Sequence, residues 1–157
     1  TIDLGVGPLN GLEVARVNND IFADLILQGP DGIYIATGDG EGNFEITQTL
    51  NPLSTGSLAA SNNGNPALDI AVGLFDGDAN QDLVALSPST GQVVFYAGNG
   101  DGTFAGPVLE STGALAPISI TTGDFVGGSF PDLAIGHEGG EVTILENNNG
   151  DFELRPE

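Results

Sequence analysis

Three carboxylates, Asp76, Asp78 and Asp82, sit together in the run Gly73-Leu74-Phe75-Asp76-Gly77-Asp78-Ala79-Asn80-Gln81-Asp82-Leu83. A hard cation asks for six to eight oxygens, closely spaced so that the chain wraps it, with glycine to allow the bend. The same residues also suit a metal-free acidic turn, in which Asp side chains accept from nearby backbone amides. Directly after the loop comes an apolar run, Leu83-Val84-Ala85-Leu86. The loop therefore opens a strand.

Residues able to do acid–base chemistry are few. His137, the single histidine, stands beside Glu138 in a Gly136-His137-Glu138-Gly139 turn. Adjacent residues on an extended chain point to opposite faces, so the two do not converge. His137 reads as a surface turn residue. Asp39, Glu41 and Asp101 resemble a carboxylate pair only superficially, because they occupy hairpin positions that recur for structural reasons. Nucleophile elbows, phosphate loops and zinc-ligand clusters are missing from the sequence. A non-catalytic protein is expected.

The chain has 157 residues, 25 of them glycine, and its apolar residues are mostly small or β-branched. No stretch keeps helical apolar spacing for three turns without Gly or Pro, so the elements to expect are short strands and tight turns. The net charge is −20, with Arg16 and Arg155 the only Lys or Arg residues. Such a surface repels phosphate backbones and anionic membranes, excluding nucleic acid and anionic lipid as partners. It attracts cations instead. With no cysteine there is neither a disulfide framework nor thiol chemistry. The start at Thr1 and the lack of methionine imply a processed product or an excised piece of a longer chain.

Asp-Leu pairs expose a threefold repeat. Asp24-Leu25, Asp82-Leu83 and Asp132-Leu133 each lead into an apolar run, a turn and a second apolar run. Each unit closes on a Gly/Asn-rich turn followed by Phe44, Phe104 or Phe152, at 20, 22 and 20 residues from its Asp. The positive-φ residues that tight hairpins need sit between the runs. First strands are expected over 14–18, 70–75 and 118–125, and fourth strands after each phenylalanine. Ser54–Pro66 reads as a Ser/Asn/Gly-rich surface loop. Four strands in about 50 residues make a unit the size of a propeller blade. The fold class is all-β: three four-stranded antiparallel repeats, over 1–46, 47–105 and 106–157.

Gly123-Asp124-Phe125-Val126-Gly127-Gly128-Ser129-Phe130-Pro131-Asp132-Leu133-Ala134-Ile135-Gly136 resembles the FG-GAP/VCBS repeat, the blade of integrin-α-type β-propellers. The hairpin Gly98-Asn99-Gly100-Asp101-Gly102-Thr103-Phe104 is similar to the same family. The resemblance implies Ca²⁺ in the loop between the first two strands. On this sequence the ligand positions fall on Asp76, Asp78, Asn80 (through its carbonyl) and Asp82, with Leu74 at the first, non-ligating position. The other two loops are degenerate. One keeps Asn18, Asp20 and Asp24, with Arg16 in first place, where its guanidinium would neutralise the carboxylates. The other keeps Asp124 and Asp132.

Closed propellers usually have four to eight blades. Three blades therefore imply a partial propeller or half of a six-bladed ring that self-association would complete. The resemblance also implies an extracellular or cell-surface binding or adhesion module that presents its loops to a protein or glycan. A building block of a surface layer or fibre, joined through blade edges, is an alternative. So is the propeller region of a larger secreted hydrolase or lyase.

Overall fold

The computed structural model describes residues 1–29, 32–51, 69–87, 90–114 and 116–155. The expected loop at 54–66 lies outside them. Among the described residues, twelve strands form three four-stranded antiparallel sheets, each a meander in chain order. The first sheet holds β1 (Gly11–Ala15), β2 (Asp24–Gly29), β3 (Gly32–Gly38) and β4 (Phe44–Leu50). The second holds β5 (Ile70–Gly73), β6 (Asp82–Ser87), β7 (Gln92–Tyr96) and β8 (Val108–Ser111). The third holds β9 (Pro117–Gly123), β10 (Asp132–His137), β11 (Val142–Asn148) and β12 (Asp151–Leu154). Among the described residues no helix occurs. These are propeller-type blades.

The strands follow the expected pattern, with shifted limits. β1 starts earlier than 14, and it stops at Ala15, before the loop. β4 runs through Leu50 and β8 occupies Val108–Ser111, so the first two sheets end beyond residues 46 and 105. The fourth strands set these limits: β4 begins on Phe44, β8 follows Phe104, and β12 already includes Phe152.

The middle strands are apolar on both faces because both faces are covered. β6 is buried at every residue, and β7 at all but its first. Ile26, Ile33 and Ile35 of the first sheet pack with Leu83, Ala85, Val94 and Tyr96 of the second. Val84, Val93 and Phe95, on the opposite face of the second sheet, pack with Leu133, Ile135 and Leu145 of the third. The free face of the first sheet carries Leu27, Tyr34 and Ala36, against which Leu4 and Val6 pack.

Closing phenylalanines lock each sheet to the one before it. Phe104 enters the core between the first two sheets, where Gln48 from β4 both donates to its carbonyl (3.0 Å) and accepts its N–H (2.7 Å). Phe152 meets Phe75 and Phe95 edge-on, at centroid distances of 5.8 and 5.7 Å. Such aromatic pairs contribute about 0.5–1.5 kcal/mol each beyond their buried area. The third–fourth strand hairpins dock in the same direction. Gly102 N–H donates to Val17 O at 3.0 Å, and Thr47 Oγ1 donates to Gly102 O at 2.8 Å.

Candidate functional site

In each sheet the loop from the first strand to the second comes back to a buried aspartate. Asp24, Asp82 and Asp132 are all fully buried. Their partners are equivalent from sheet to sheet. Asp24 Oδ2 accepts from Val17 N–H (2.8 Å) and its Oδ1 from Gly38 N–H (2.9 Å). Asp82 Oδ2 accepts from the N–H groups of Phe75 (2.7 Å) and Asp76 (3.2 Å), and its Oδ1 from Gly98 N–H (2.9 Å). Asp132 Oδ2 accepts from Phe125 (2.9 Å) and Val126 (3.1 Å), and its Oδ1 from Asn147 N–H (3.0 Å).

One carboxylate thus ties the exit of the first strand to the third-strand side of the same sheet. Backbone amides at that position would otherwise be buried without partners, at about 1–3 kcal/mol each. The aspartate is a staple. Its spacing had suggested only a metal ligand or a turn cap. A second signal lay in the sequence: this aspartate recurs in all three units while the other ligand positions decay.

The second loop is also where acidic oxygens converge. One carboxylate oxygen each from Asp76, Asp78 and Asp82 lie within 4.8 Å of one another, so the cluster can hold a metal ion. The residues fit a cation in part. Asp82 Oδ1 accepts one N–H, which leaves it acceptor capacity. Asp76 Oδ1 accepts from Asp78 N–H (2.9 Å) and Asp78 Oδ1 from Asn80 N–H (2.7 Å), which sets the loop's curvature without any ion. Asn80 turns its amide nitrogen to Asp78 Oδ2 at 2.8 Å. Leu74 is exposed and offers nothing. Burial pushes the Asp82 carboxyl up from its usual range. Its three N–H bonds oppose that shift, and the charge of Asp76 adds to it. A cation would relieve both causes.

The other two loops do not gather a comparable set among the described residues. Asn18 and Asp20 bond each other, Nδ2 to Oδ2 at 2.8 Å, and Asp20 Oδ1 accepts from Phe22 N–H at 2.7 Å. Arg16 is exposed, and its N–H donates to Gln81 Oε1 at 3.3 Å. The carboxylate of Asp24 is met by the backbone amides of Val17 and Gly38. Asp124 serves as a turn cap, its Oδ1 accepting from Gly127 N–H at 2.8 Å.

His137 also differs from expectation. It is buried at 4% exposure, with Nε2 at 2.9 Å from Thr143 Oγ1 across the β10–β11 hairpin. The turn that follows, rather than His137 itself, faces solvent, and Glu138 is exposed there. Asp39 accepts from Asn43 Nδ2 (2.6 Å) and Glu41 N–H (2.7 Å), the side-chain bond first holding its carboxyl below the usual range. Asp101 caps Thr103 N–H at 3.0 Å. These are hairpin caps.

Residues 75–135 match the family model of the FG-GAP-like repeat, a segment running from the second loop to β10. No curated protein matches the chain. Among solved structures, a lectin of Agrocybe aegerita, described as specifically recognising non-reducing terminal N-acetylglucosamine, aligns with a TM-score of 0.62 at 18% identity. The alignment covers 91% of this chain and 37% of the lectin chain, so the chain spans little more than a third of that protein's length. At that identity the likeness establishes a shared fold.

Proposed function

We propose that this chain, which carries an FG-GAP-like repeat, is a non-catalytic extracellular binding module that presents loops to a glycan or protein. The observation that carries the reading is the set of three staples. Asp24, Asp82 and Asp132 fix the loop after each first strand against its own sheet, so that binding orders little that is not already ordered. The likeness to a glycan-recognising lectin supports a glycan among the ligand classes. Calcium at Asp76, Asp78 and Asp82 adds a further tie within the second loop.

The test is to display the labelled whole chain to a glycan array and to a panel of extracellular proteins, with calcium and with chelator. Saturable binding to a defined glycan or protein is expected. Binding to neither, together with turnover of an arrayed glycan, would overturn the reading. Immunolabelling of intact source cells or their medium checks the location.

A second reading, assembly with further blades, is favoured by the outer face of the third sheet. Phe125, Ile144 and Val142 stand where the second sheet buries Phe75, Phe95 and Val93. Phe125 is 46% exposed and Val142 is 68% exposed. A mass that rises with concentration in light scattering would support assembly, and a constant monomer mass would remove it.

A further inference from the structure

The third sheet departs from the first two at one place, and a pocket lies there. In the first sheet, Gly38 and Gly40 let the hairpin backbone come close to the loop after the first strand. A Cβ on Gly38 would strike the carbonyl of Ala23, and one on Gly40 would strike the ring of Phe22. In the second sheet Gly98 and Gly100 do the same beneath Gln81 and Asn80. The loop residue two before the staple, Phe22 or Asn80, lies down on this glycine floor.

Asn147 and Asn149 replace that glycine pair in the third sheet, while Phe130 takes the place of Phe22 and Asn80. Asn147 is fully engaged. Its Nδ2 donates to Pro131 O (3.0 Å) and to Phe75 O of the second sheet (2.9 Å), and its Oδ1 accepts from Gly150 N–H (2.8 Å). Asn149 keeps the left-handed backbone of the glycines it replaces, at φ 61°. Side chains thus stand where glycine lets Phe22 and Asn80 approach the hairpin backbone. A space of about 400 Å³ opens between loop and hairpin, lined by Phe130, Ser129, Glu146, Asn148 and Asn149 over the Asn147 floor. That volume falls within the range of about 300–1,000 Å³ typical of small-molecule sites.

We infer that this pocket is a sugar-binding site, taking a single neutral hexose or N-acetylhexosamine residue at the end of a glycan. The inference rests on the glycan reading proposed above and gives it a location. Phe130 supplies an aromatic surface for the apolar face of a pyranose. Asn148 and Asn149 line the pocket with side-chain amides, the Oδ1 of Asn149 on the side of Gly77 in the second loop, and the Glu146 carboxylate can accept from paired hydroxyls. No cation lines the pocket, and the net charge of −20 opposes an anionic sugar. The floor is fixed by the three bonds of Asn147, so the site is held in shape by the sheet beneath it.

The test is a ¹⁵N–¹H NMR titration of the whole chain with the methyl glycosides of N-acetylglucosamine, glucose, galactose and glucuronic acid. At least one neutral glycoside should shift the amides of Asn148 and Asn149 saturably, with glucuronide ineffective. Asn149→Gly restores the closed arrangement of the other sheets at a backbone angle glycine favours, and should weaken binding at least tenfold with the fold intact. Asn148→Ala, at an exposed position, should weaken it similarly, whereas Glu13→Gln, exposed on β1 of the first sheet, should not. If a sugar binds but neither pocket variant weakens it, the pocket assignment falls and the glycan reading stands. If none of the four glycosides shifts any amide, the pocket assignment falls; the array then decides whether a glycan binds elsewhere. Equal binding of the glucuronide would overturn the neutral-ligand assignment.

Discussion

Replacing Asp82 by alanine, in chelator, separates a staple from a metal ligand. The carboxylate accepts three backbone N–H groups. That of Asp76 borders the exposed loop, where water can take over. Those of Phe75 and Gly98 belong to buried residues. Two stranded buried donors cost about 2–6 kcal/mol. Against this stands the cost of keeping Asp82 charged, since burial raises its carboxyl above the usual range. A net loss of about 3 kcal/mol is expected, set against a typical total stability of about 5–15 kcal/mol. Urea unfolding followed by circular dichroism should show the midpoint falling by about 1–3 M at an unchanged slope, for a typical slope of about 1–3 kcal/mol/M. Asp24→Ala should behave alike, because the N–H groups of Val17 and Gly38 are also buried. Asp78→Ala, at an exposed position, should stay within about 0.5 kcal/mol of the parent. If Asp82→Ala in chelator is as harmless as Asp78→Ala, the staple argument is wrong.

Calcium in excess over chelator should raise the melting temperature. At a hundredfold excess over Kd the gain is about 2.7 kcal/mol, and both Asp78→Ala and Asp82→Asn should remove it; an unmoved melting curve refutes the site. Tyr96 is buried, its hydroxyl has no hydrogen-bond partner among the described residues, and burial pushes its pKa up to about 12. The folded state therefore keeps that proton longer than the unfolded chain, so stability falls as pH rises from about 10 toward 12. Tyr96→Phe should lose this alkaline slope and match or exceed the parent's stability at neutral pH in urea unfolding; a loss above about 1 kcal/mol would point to a partner for the hydroxyl. Glu110 is raised first by burial and then by the charges of Asp151 and Glu153 on β12. Stability should fall as pH rises through its elevated pKa, and Glu110→Gln should flatten that limb in urea midpoints measured between pH 4 and 8; an unaltered limb counts against the acidic seam.

How far the sequence could be read depended on whether a signal was local. The Asp-Leu pairs and the phenylalanines at the ends of the units marked blades and strand order, because turn chemistry and apolar runs are local properties. Asp76, Asp78 and Asp82 were legible as an oxygen cluster for the same reason. The staple role of Asp24, Asp82 and Asp132 was harder to see, since the amides they serve at Gly38, Gly98 and Asn147 lie in or just past the third strand, 14 to 16 residues further on. His137 looked like a turn residue because its partner, Thr143, becomes a neighbour only once β10 and β11 pair. The pocket depends on Asn147 and Asn149 standing where the other units have glycine. That substitution is visible in aligned repeats, but its effect depends on how closely loop and hairpin approach.

Docking by hairpin and phenylalanine always runs backward, from a later sheet onto an earlier one. Phe104 and Gly102 reach the first sheet, while Phe152 and Asn147 reach the second. Synthesis runs from the amino terminus, so each emerging sheet meets a neighbour that has already been made. Leu4 and Val6, the earliest apolar residues in contact with the first sheet, shield its free face before any later sheet arrives. The order of translation and the order of packing coincide, so the ribosome delivers each surface after the template it needs.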